Sequence, residues 1–315
     1  MSAPGGKTRA AAIDIGSNSI LLTIAEVGTT PSGIPLRLLH DEAQVTGLSK
    51  GLSVEGFITE TAQNRAQPVL TRYAKLIQEM KASATLVTGT EAFRRAKNGN
   101  EVKTSFEKIL GSRIEIISGD REAELSFWSV QKELSAQNLD RLNLVFDIGG
   151  ASTELCLGNS DGIQQRISLK VGSVVLAEKF KLNEVCDPAA AISYVQEMID
   201  RDVPWKTNVF GSTGIGVAGT ITTLIAMEQR IDPYVRAKVH GQSISVAEVR
   251  ARLENLCSKT PSQRAEHPGL PIDRADVITG GVSIALGLMQ KFEWPKIACM
   301  DSGVRFGALY ELLGV

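Results

Sequence analysis

Short apolar segments alternate along the chain with longer segments whose apolar residues recur every three or four positions. The short segments end at glycine or polar turn residues and predict buried strands at residues 10–15, 20–27, 85–87, 113–117, 142–146, 154–157, 165–169 and 297–300. The longer segments predict helices at residues 57–82, 103–110, 121–134, 173–180, 188–201, 220–229, 246–258, 274–291 and 303–313. Pro68 should kink or split the first helix. Mixed strands and helices of this kind indicate an α/β architecture.

Two turns of similar composition follow buried strands, 133 residues apart (147 minus 14). Each begins with an aspartate at the strand end, Asp14 or Asp147, and continues through glycine and small hydroxyl residues. Such residues let backbone N–H groups approach an anion, and the carboxylate can hold Mg2+. One copy alone would be explained equally well by a hairpin turn, but two copies favour phosphate. The candidate phosphate-binding residues are Gly16, Ser17, Asn18, Ser19, Gly149, Gly150, Ala151, Ser152 and Thr153.

Two other glycine motifs are weaker signals. Residues 214–219 match the GxGxxG pattern, but no acidic residue at a strand end follows about 20 positions later, as a dinucleotide-binding fold requires. We retain only the prediction that Gly219 and Thr220 open a helix whose N-terminus binds an anion. Close strand packing with a turn is the alternative. Residues 5–8 mimic the end of a P-loop, but no strand precedes them, so we reject that interpretation.

Charged residues next to two other strand ends complete the candidate site. Arg94 follows the strand at 85–87, and an arginine fork can grip phosphate in a bidentate manner. Glu122 falls in the first turn of the helix at 121–134, where the helix dipole favours an ionised carboxylate. Such a carboxylate can accept a proton from an attacking water. A solvated helix face and ordinary acidic enrichment at a helix start are the alternatives.

The length, charge and composition of the chain exclude several classes of function. The chain has 315 residues, which suits two domains. Its net charge is −1, so no global basic field favours nucleic acid, and an anionic substrate needs a local positive patch. The four cysteines and three histidines follow no metal-site pattern. The sequence contains no membrane-length apolar run and its start does not resemble a signal peptide, so we expect no membrane association and a cytoplasmic location.

Seven segments together resemble the exopolyphosphatase and guanosine pentaphosphate phosphohydrolase family, over residues 11–313. That family belongs to the acetate kinase, sugar kinase, Hsp70 and actin fold group. The segments occur in the family's order and are AIDIGSNSILLTIAEV, TGTEAFRRAKN, IEIISGDREAEL, VFDIGGASTELCLG, SLKVGSVVLAEKF, GVAGTITTL and DSGVRFGALYELL.

The resemblance implies an α/β fold of two actin-like (ribonuclease H-like) domains with mixed sheets and an interdomain cleft. Domain I would comprise residues 1–121 and 301–315, and domain II residues 122–300. Glu122 would be the general base, and Arg94 would hold the terminal phosphate. Asp147 and Glu154 would organise Mg2+ and water, with Asp14 as a further metal ligand. The reaction would be removal of terminal phosphate from polyphosphate, by a homodimer, with a role for K+ left open.

The sequence departs from the family pattern at three positions. Ala151 stands where the family has a third glycine, and it would be strained if that position needed a positive φ. Arg121 replaces a glutamate and Glu124 replaces an arginine, so Glu124 is a rival to Glu122 as the base. The chain also resembles the short form of the family, which lacks an added helical C-terminal region.

Three other functions remain open from the sequence. Removal of the 5′ γ-phosphate from guanosine pentaphosphate (pppGpp) would use the same catalytic residues. A kinase of the same fold group would need an acceptor site, and none is recognisable. A polyphosphate or nucleotide sensor without turnover is kept open by Ala151, Arg121 and Glu124.

Overall fold

The computed structural model describes residues 8–28, 35–134, 138 and 140–315; most of the rejected P-loop mimic lies outside them. The strands are β1 (Arg9–Ile15), β2 (Ser19–Val27), β3 (Leu36–Val45), β4 (Ala84–Gly89), β5 (Ile114–Ile116), β6 (Asn143–Ile148), β7 (Thr153–Asn159), β8 (Gly162–Leu169), β9 (Thr213–Val217), β10 (Ser243–Ser245) and β11 (Lys296–Cys299).

Helices connect these strands. The α-helices are α1 (Leu52–Glu55), α2 (Glu60–Glu79), α3 (Glu91–Arg95), α4 (Gly99–Leu110), α5 (Gly119–Glu133), α6 (Ser173–Lys179), α7 (Ala189–Asp202), α8 (Ala218–Glu228), α9 (Arg236–Val239), α10 (Val246–Cys257), α11 (Pro261–Ala265), α12 (Ile278–Lys291) and α13 (Val304–Leu313). Short 3-10 helices cover Lys206–Val209 and Ile272–Arg274. None of the helices within the described ranges is long and apolar enough to span a membrane.

The chain forms two compact units. Unit 1 contains Met1–Ser118 and Val304–Val315, and unit 2 contains Gly119–Gly303. The limits predicted from the sequence differ from these by three residues at each crossing (121 against 118, and 300 against 303). That these units correspond to two separate domains stays a prediction.

Unit 1 is built on a five-stranded sheet in the order β3-β2-β1-β4-β5. β1, β2 and β3 pair antiparallel, whereas β4 and β5 run parallel to β1. Successive side chains of a strand point to opposite faces. On β1, Ile13 and Ile15 pack in a cluster with α2, while the small residues Ala10 and Ala12 lie against α13. Asp14 shares the face of the two alanines.

Unit 2 repeats this arrangement with one more strand, in the order β10-β11-β9-β6-β7-β8. β6, β7 and β8 pair antiparallel, and β9 and β11 continue the sheet in parallel. One face carries Val145 and Val217 and packs against Ala123 and Phe127 of α5. The other face belongs to a large apolar cluster that includes α8 and α12. The predicted fold class, α/β with two mixed sheets, is confirmed.

The structure differs from the sequence prediction at several elements. β3 was not predicted, and neither were the short β10, α9 and α11. α2 continues through Pro68 without a break. Pro68 lies on the exposed face of α2, where water can solvate the carbonyl that a proline leaves without a donor. The split expected there is therefore wrong.

Candidate phosphate-binding and catalytic site

The turn between β1 and β2 presents backbone donors at the end of β1. Gly16 N–H donates to the Ser19 carbonyl at 2.9 Å and closes the turn. The carbonyls of Ser17 and Asn18 accept bonds of 2.8–2.9 Å from backbone N–H groups of residues 46–49. Because the carbonyls are turned towards that segment, the N–H groups of Ser17 and Asn18 are left without an acceptor among the described residues. Backbone N–H groups of this kind suit an anion.

The turn between β6 and β7 repeats this geometry. Gly149 N–H donates to the Ser152 carbonyl at 3.0 Å. The carbonyls of Gly149 and Gly150 accept bonds of 2.8–3.2 Å from the backbone N–H groups of residues 173–175. In the part of unit 2 that the structure describes, the N–H groups of Gly150, Ala151 and Ser152 donate to no protein acceptor. The duplication seen in the sequence is therefore a duplication of hydrogen bonding.

Two details of the second turn qualify the sequence prediction. Ala151 is buried and is absent from the residues with positive φ, so the strain considered for it does not arise. Thr153 is fully buried and its hydroxyl donates to the Val171 carbonyl at 2.6 Å. The side chain of Thr153 therefore stabilises the turn rather than facing a ligand. The backbone N–H groups before it, those of Gly150, Ala151 and Ser152, are the ones that suit an anion.

The acidic residues of unit 2 form a row across three strands. Asp147 on β6 lies opposite Glu154 on β7, and Glu154 lies opposite Ser168 on β8. Side chains directly opposite each other on paired strands share a face. Ser168 Oγ donates to Glu154 Oε1 at 2.8 Å, and Glu154 is 3% exposed. The two carboxylates predicted as metal ligands are therefore neighbours at one end of the sheet.

Helix α5 covers this row. Gly119, Glu122 and Ser126 are spaced by three and four positions, so they lie on one helix face. A Cβ on Gly119 would lie 2.5 Å from Ser168 Oγ, and Ser126 Oγ donates to Asp147 Oδ2 at 3.4 Å. Since its neighbours on that face touch the two ends of the row, Glu122 faces the row between them. It is 7% exposed and lies in the first turn, as the sequence predicted.

The rival to Glu122 lies elsewhere on α5. Glu124 is two positions further along, which rotates it by about 200° to the opposite face of the helix. There its carboxylate pairs with Arg121 Nη1 at 3.1 Å, and both side chains are about one-third exposed. The geometry therefore favours Glu122 as the base, and the two departures from the family pattern compensate each other in charge.

Asp14, the candidate metal ligand of unit 1, has a different environment from Asp147 and Glu154. Thr88 Oγ donates to Asp14 Oδ1 at 3.1 Å. Desolvation by the surrounding protein raises the pKa of Asp14 to about 6, against the lowering effects of the Thr88 hydrogen bond and the Arg305 charge. Arg305 on α13 also binds Thr23 Oγ1 at 2.8 Å and Asp41 Oδ1 at 3.1 Å. No sequence pattern connected Arg305 with Asp14, because the two residues are far apart along the chain.

Arg94 is held in place by its own helix. Its Nε and Nη2 both donate to Glu91 Oε2, at 2.9 and 2.7 Å, and Nη1 donates to the Ile117 carbonyl. Glu91 is buried with a side chain that is 4% exposed, while that of Arg94 is 21% exposed. Glu91 therefore orients the Arg94 guanidinium, a contact that the spacing of three residues on a helix could have revealed from the sequence.

The predicted anion-binding helix start is crowded by an arginine. Gly219 and Thr220 lie in the first turn of α8, which begins directly at the end of β9. A Cβ on Gly219 would overlap the guanidinium of Arg274, so that cation lies against the helix start. Ala218 adopts the left-handed conformation, with φ 61°, at this junction. The Arg274 guanidinium adds positive charge to the positive end of the helix dipole, which is compatible with the predicted role in anion binding.

The carboxylates suit an open Mg2+ site better than a metal site made only of protein ligands. Among the residues described, no three or more His, Cys, Asp and Glu side chains are grouped closely enough to hold a metal ion. Mg2+ is usually held by one or two carboxylates, with waters and substrate phosphates completing its coordination. Asp147 and Glu154 provide two adjacent carboxylates of this type.

Comparison with known proteins identifies the family. The model of the Ppx/GppA phosphatase family matches residues 23–315. The chain belongs to this family. Exopolyphosphatase 2 of Mycobacterium tuberculosis is 33% identical over 292 residues, which cover 88% of each chain.

Other relatives of this Ppx/GppA chain are longer. A bifunctional 3-dehydroquinate synthase/phosphatase of Fusobacterium nucleatum is 32% identical, covering 96% of this chain and 46% of that protein. A guanosine-5'-triphosphate,3'-diphosphate pyrophosphatase of Photobacterium profundum is 28% identical, covering 96% of this chain and 59% of that protein. The chain thus spans about half the length of these two relatives.

Solved structures of the family share the fold. The Ppx/GppA family member of Aquifex aeolicus is 30% identical with a TM-score of 0.77, covering 98% of this chain and 99% of its own. An exopolyphosphatase of Cytophaga hutchinsonii is 26% identical with a TM-score of 0.86, covering 98% of both chains. The matching family is a family of phosphatases, so the prediction that this chain is an enzyme is confirmed.

Gly172 supports the unit 2 turn and can be tested directly. A Cβ at Gly172 would lie 2.4 Å from the Ala151 nitrogen and the Gly150 carbonyl carbon, so Gly172→Ala must displace the turn backbone. We expect a loss of about 1–3 kcal/mol in the free energy of unfolding, and weaker protection of the protein by tripolyphosphate in thermal unfolding. Gly28→Ala is the control, because its Cβ would meet only Arg37 Cβ at 3.6 Å. Equal behaviour of the two variants would contradict the role of Gly172.

Proposed function

We propose that this Ppx/GppA chain is an exopolyphosphatase that removes the terminal phosphate of inorganic polyphosphate. The observation that carries the proposal is in unit 2, where Glu122 on α5 faces the carboxylates of Asp147 and Glu154. These lie at the strand ends on either side of a turn in which the N–H groups of Gly150, Ala151 and Ser152 donate to no acceptor among the described residues. Phosphoryl transfer depends mainly on positioning and on charge neutralisation, and this arrangement supplies both.

Each residue has a defined role in this proposal. Glu122 accepts the proton of the attacking water. Arg94, oriented by Glu91, binds the transferred phosphoryl group. The two turns, together with Gly219 and Thr220, bind phosphates through backbone N–H groups.

Mg2+ is the metal we propose for Asp147 and Glu154, with Asp14 as a further ligand. When bound, it would neutralise charge on the phosphate oxygens and orient the phosphate chain. The position of Glu154 would determine where the metal ion binds. That position is set by the hydrogen bond from Ser168 and by the pairing of β7 with β8. A role for K+, a homodimeric assembly and a cytoplasmic location also belong to this proposal, and they rest on the family resemblance.

Guanosine pentaphosphate is the second candidate substrate. The relative from Photobacterium profundum, a guanosine-5'-triphosphate,3'-diphosphate pyrophosphatase, aligns over 96% of this chain. The same carboxylates and turns would serve, because both reactions transfer a terminal phosphoryl group to water. We favour polyphosphate because exopolyphosphatase 2 of Mycobacterium tuberculosis is more similar, and the match spans 88% of its length.

Phosphate release from the two substrates, measured side by side, tests the proposal. We expect Mg2+-dependent release from long-chain polyphosphate with a higher kcat/KM than from guanosine pentaphosphate, and no release after chelation of the metal. A higher kcat/KM for guanosine pentaphosphate would make that nucleotide the preferred substrate and leave the proposed mechanism unchanged. Tight binding of either compound without any phosphate release would overturn the proposed activity in favour of a sensor.

A further inference from the structure

Ser168 is a half-buried serine on the edge strand β8, and no sequence pattern identified it as a site residue. It lies on β8 directly opposite Glu154, and its Oγ donates to Glu154 Oε1 at 2.8 Å. Glu154 in turn lies opposite Asp147. One hydroxyl and two carboxylates therefore form a continuous row, in which the hydroxyl binds one oxygen of the central carboxylate.

The sheet register determines this pairing. β7 and β8 pair with a register shift between Leu157 and Gly158, because Leu157 lies opposite Gln165 whereas Gly158 lies opposite Ile163. Without that shift, the residue opposite Glu154 would be a neighbour of Ser168 whose side chain points to the other face. The bulge therefore places the hydroxyl on the face that carries the carboxylates.

The start of α5 encloses the same hydroxyl. A Cβ on Gly119 would lie 2.3 Å from Ser168 Cβ, 2.5 Å from its Oγ and 3.7 Å from Glu154 Oε1. Only a glycine permits the helix to approach so closely, and this helix carries Glu122 three residues later. Ser168 thus contacts the carboxylate of one proposed metal ligand and the first residue of the helix that carries the proposed base.

We infer that Ser168 is a positioning residue that orients the Glu154 carboxylate for the metal ion and substrate. This inference rests on the proposed function and deepens it. A hydroxyl that donates to Oε1 limits the rotation of the Glu154 carboxylate and so fixes the directions in which its oxygens point. Partners that orient metal ligands in this way typically change metal affinity or activity about 10–100-fold when removed.

The test compares Ser168→Ala with the wild-type protein in two assays. The first is the Mg2+ concentration for half-maximal phosphate release from tripolyphosphate. The second is the Kd for Mn2+, a spectroscopic substitute for Mg2+, measured by electron paramagnetic resonance without turnover. We expect both values to rise about tenfold in Ser168→Ala. Ser168→Cys keeps a weak donor of similar size, and we expect an intermediate rise.

A matched control removes the same type of hydrogen bond elsewhere in unit 2. Ser160 Oγ donates to Asp140 Oδ1 at 2.7 Å on the exposed surface, so Ser160→Ala should leave both metal values unchanged. Unchanged metal values in Ser168→Ala, with an active wild-type protein, would overturn the inference alone. A wild-type protein that releases no phosphate would instead overturn the proposed function, and the Mn2+ measurement would still decide whether Ser168 affects the metal.

Discussion

Glu122→Gln should lower kcat for phosphate release by about 10²–10⁴, because the amide cannot accept the proton of the attacking water. The substitution keeps the size and the hydrogen-bonding shape of the side chain on a residue that is 7% exposed. The fold and substrate binding should therefore persist, and KM should change little. The measurement is steady-state phosphate release at saturating Mg2+, with thermal unfolding to confirm that the variant is folded.

Glu124→Gln is the matched control for this experiment. The change is chemically identical and lies on the same helix, but Glu124 points away from the carboxylate row and pairs with Arg121. Loss of a partly exposed ion pair should cost at most about 1 kcal/mol of stability and leave kcat near the wild-type value. A large fall of kcat in Glu124→Gln with an active Glu122→Gln would show that the base had been assigned to the wrong residue.

The strand-turn-strand repeat was the part of the site that the sequence revealed best. A turn of glycine and small residues needs local sequence alone, and both copies fold with the same closing hydrogen bond, Gly16 to Ser19 and Gly149 to Ser152. Glu122 was also placed correctly in a first helical turn, because the end of a strand and the start of a helix are local features. Local sequence was therefore sufficient to predict those site residues whose position depends only on the turn or helix start in which they lie.

Residues that act across strands were beyond the sequence analysis. Ser168 acquires its role from the register of β7 and β8, including a bulge, and no local pattern encodes that register. Arg305 reaches Asp41 from 264 residues away, which only the packing of α13 on unit 1 reveals. A polar residue in a strand looks like a solvated position until its partner on the next strand or helix is known.

The strand β3 was missed for a related reason. It is an edge strand of unit 1, and its segment LRLLHDEAQV carries three charged or ionisable residues in a row, His40, Asp41 and Glu42. Edge strands often carry such residues, which weakens the apolar alternation by which strands are recognised. Asp41 is stabilised there by Thr23 and Arg305, neither of which is near it in sequence.

Asp14→Asn should stabilise the metal-free protein at pH 7.5 by about 2–3 kcal/mol, while it lowers phosphate release. The pKa of Asp14 is about 6 in the folded protein against an ordinary value of 3.8. Because the folded pKa is the higher one, the folded state binds the proton more tightly, and stability falls as the pH rises from about 4 to about 6. Each pKa unit corresponds to about 1.36 kcal/mol, and asparagine has no proton to lose.

Denaturant unfolding of both proteins between pH 4 and pH 7.5, without metal, measures this difference. The advantage of Asp14→Asn should be small at pH 4 and reach its full size above pH 6. Asp41→Asn is the matched control with the opposite sign, since it removes the partner of the buried Arg305 and should destabilise the protein at pH 7.5. An Asp14→Asn protein that gains no stability at pH 7.5 would show that burial does not penalise the charged carboxylate. A gain that appears without metal would instead mean that the charge of Asp14 destabilises unit 1, as expected of a residue kept for function rather than for stability.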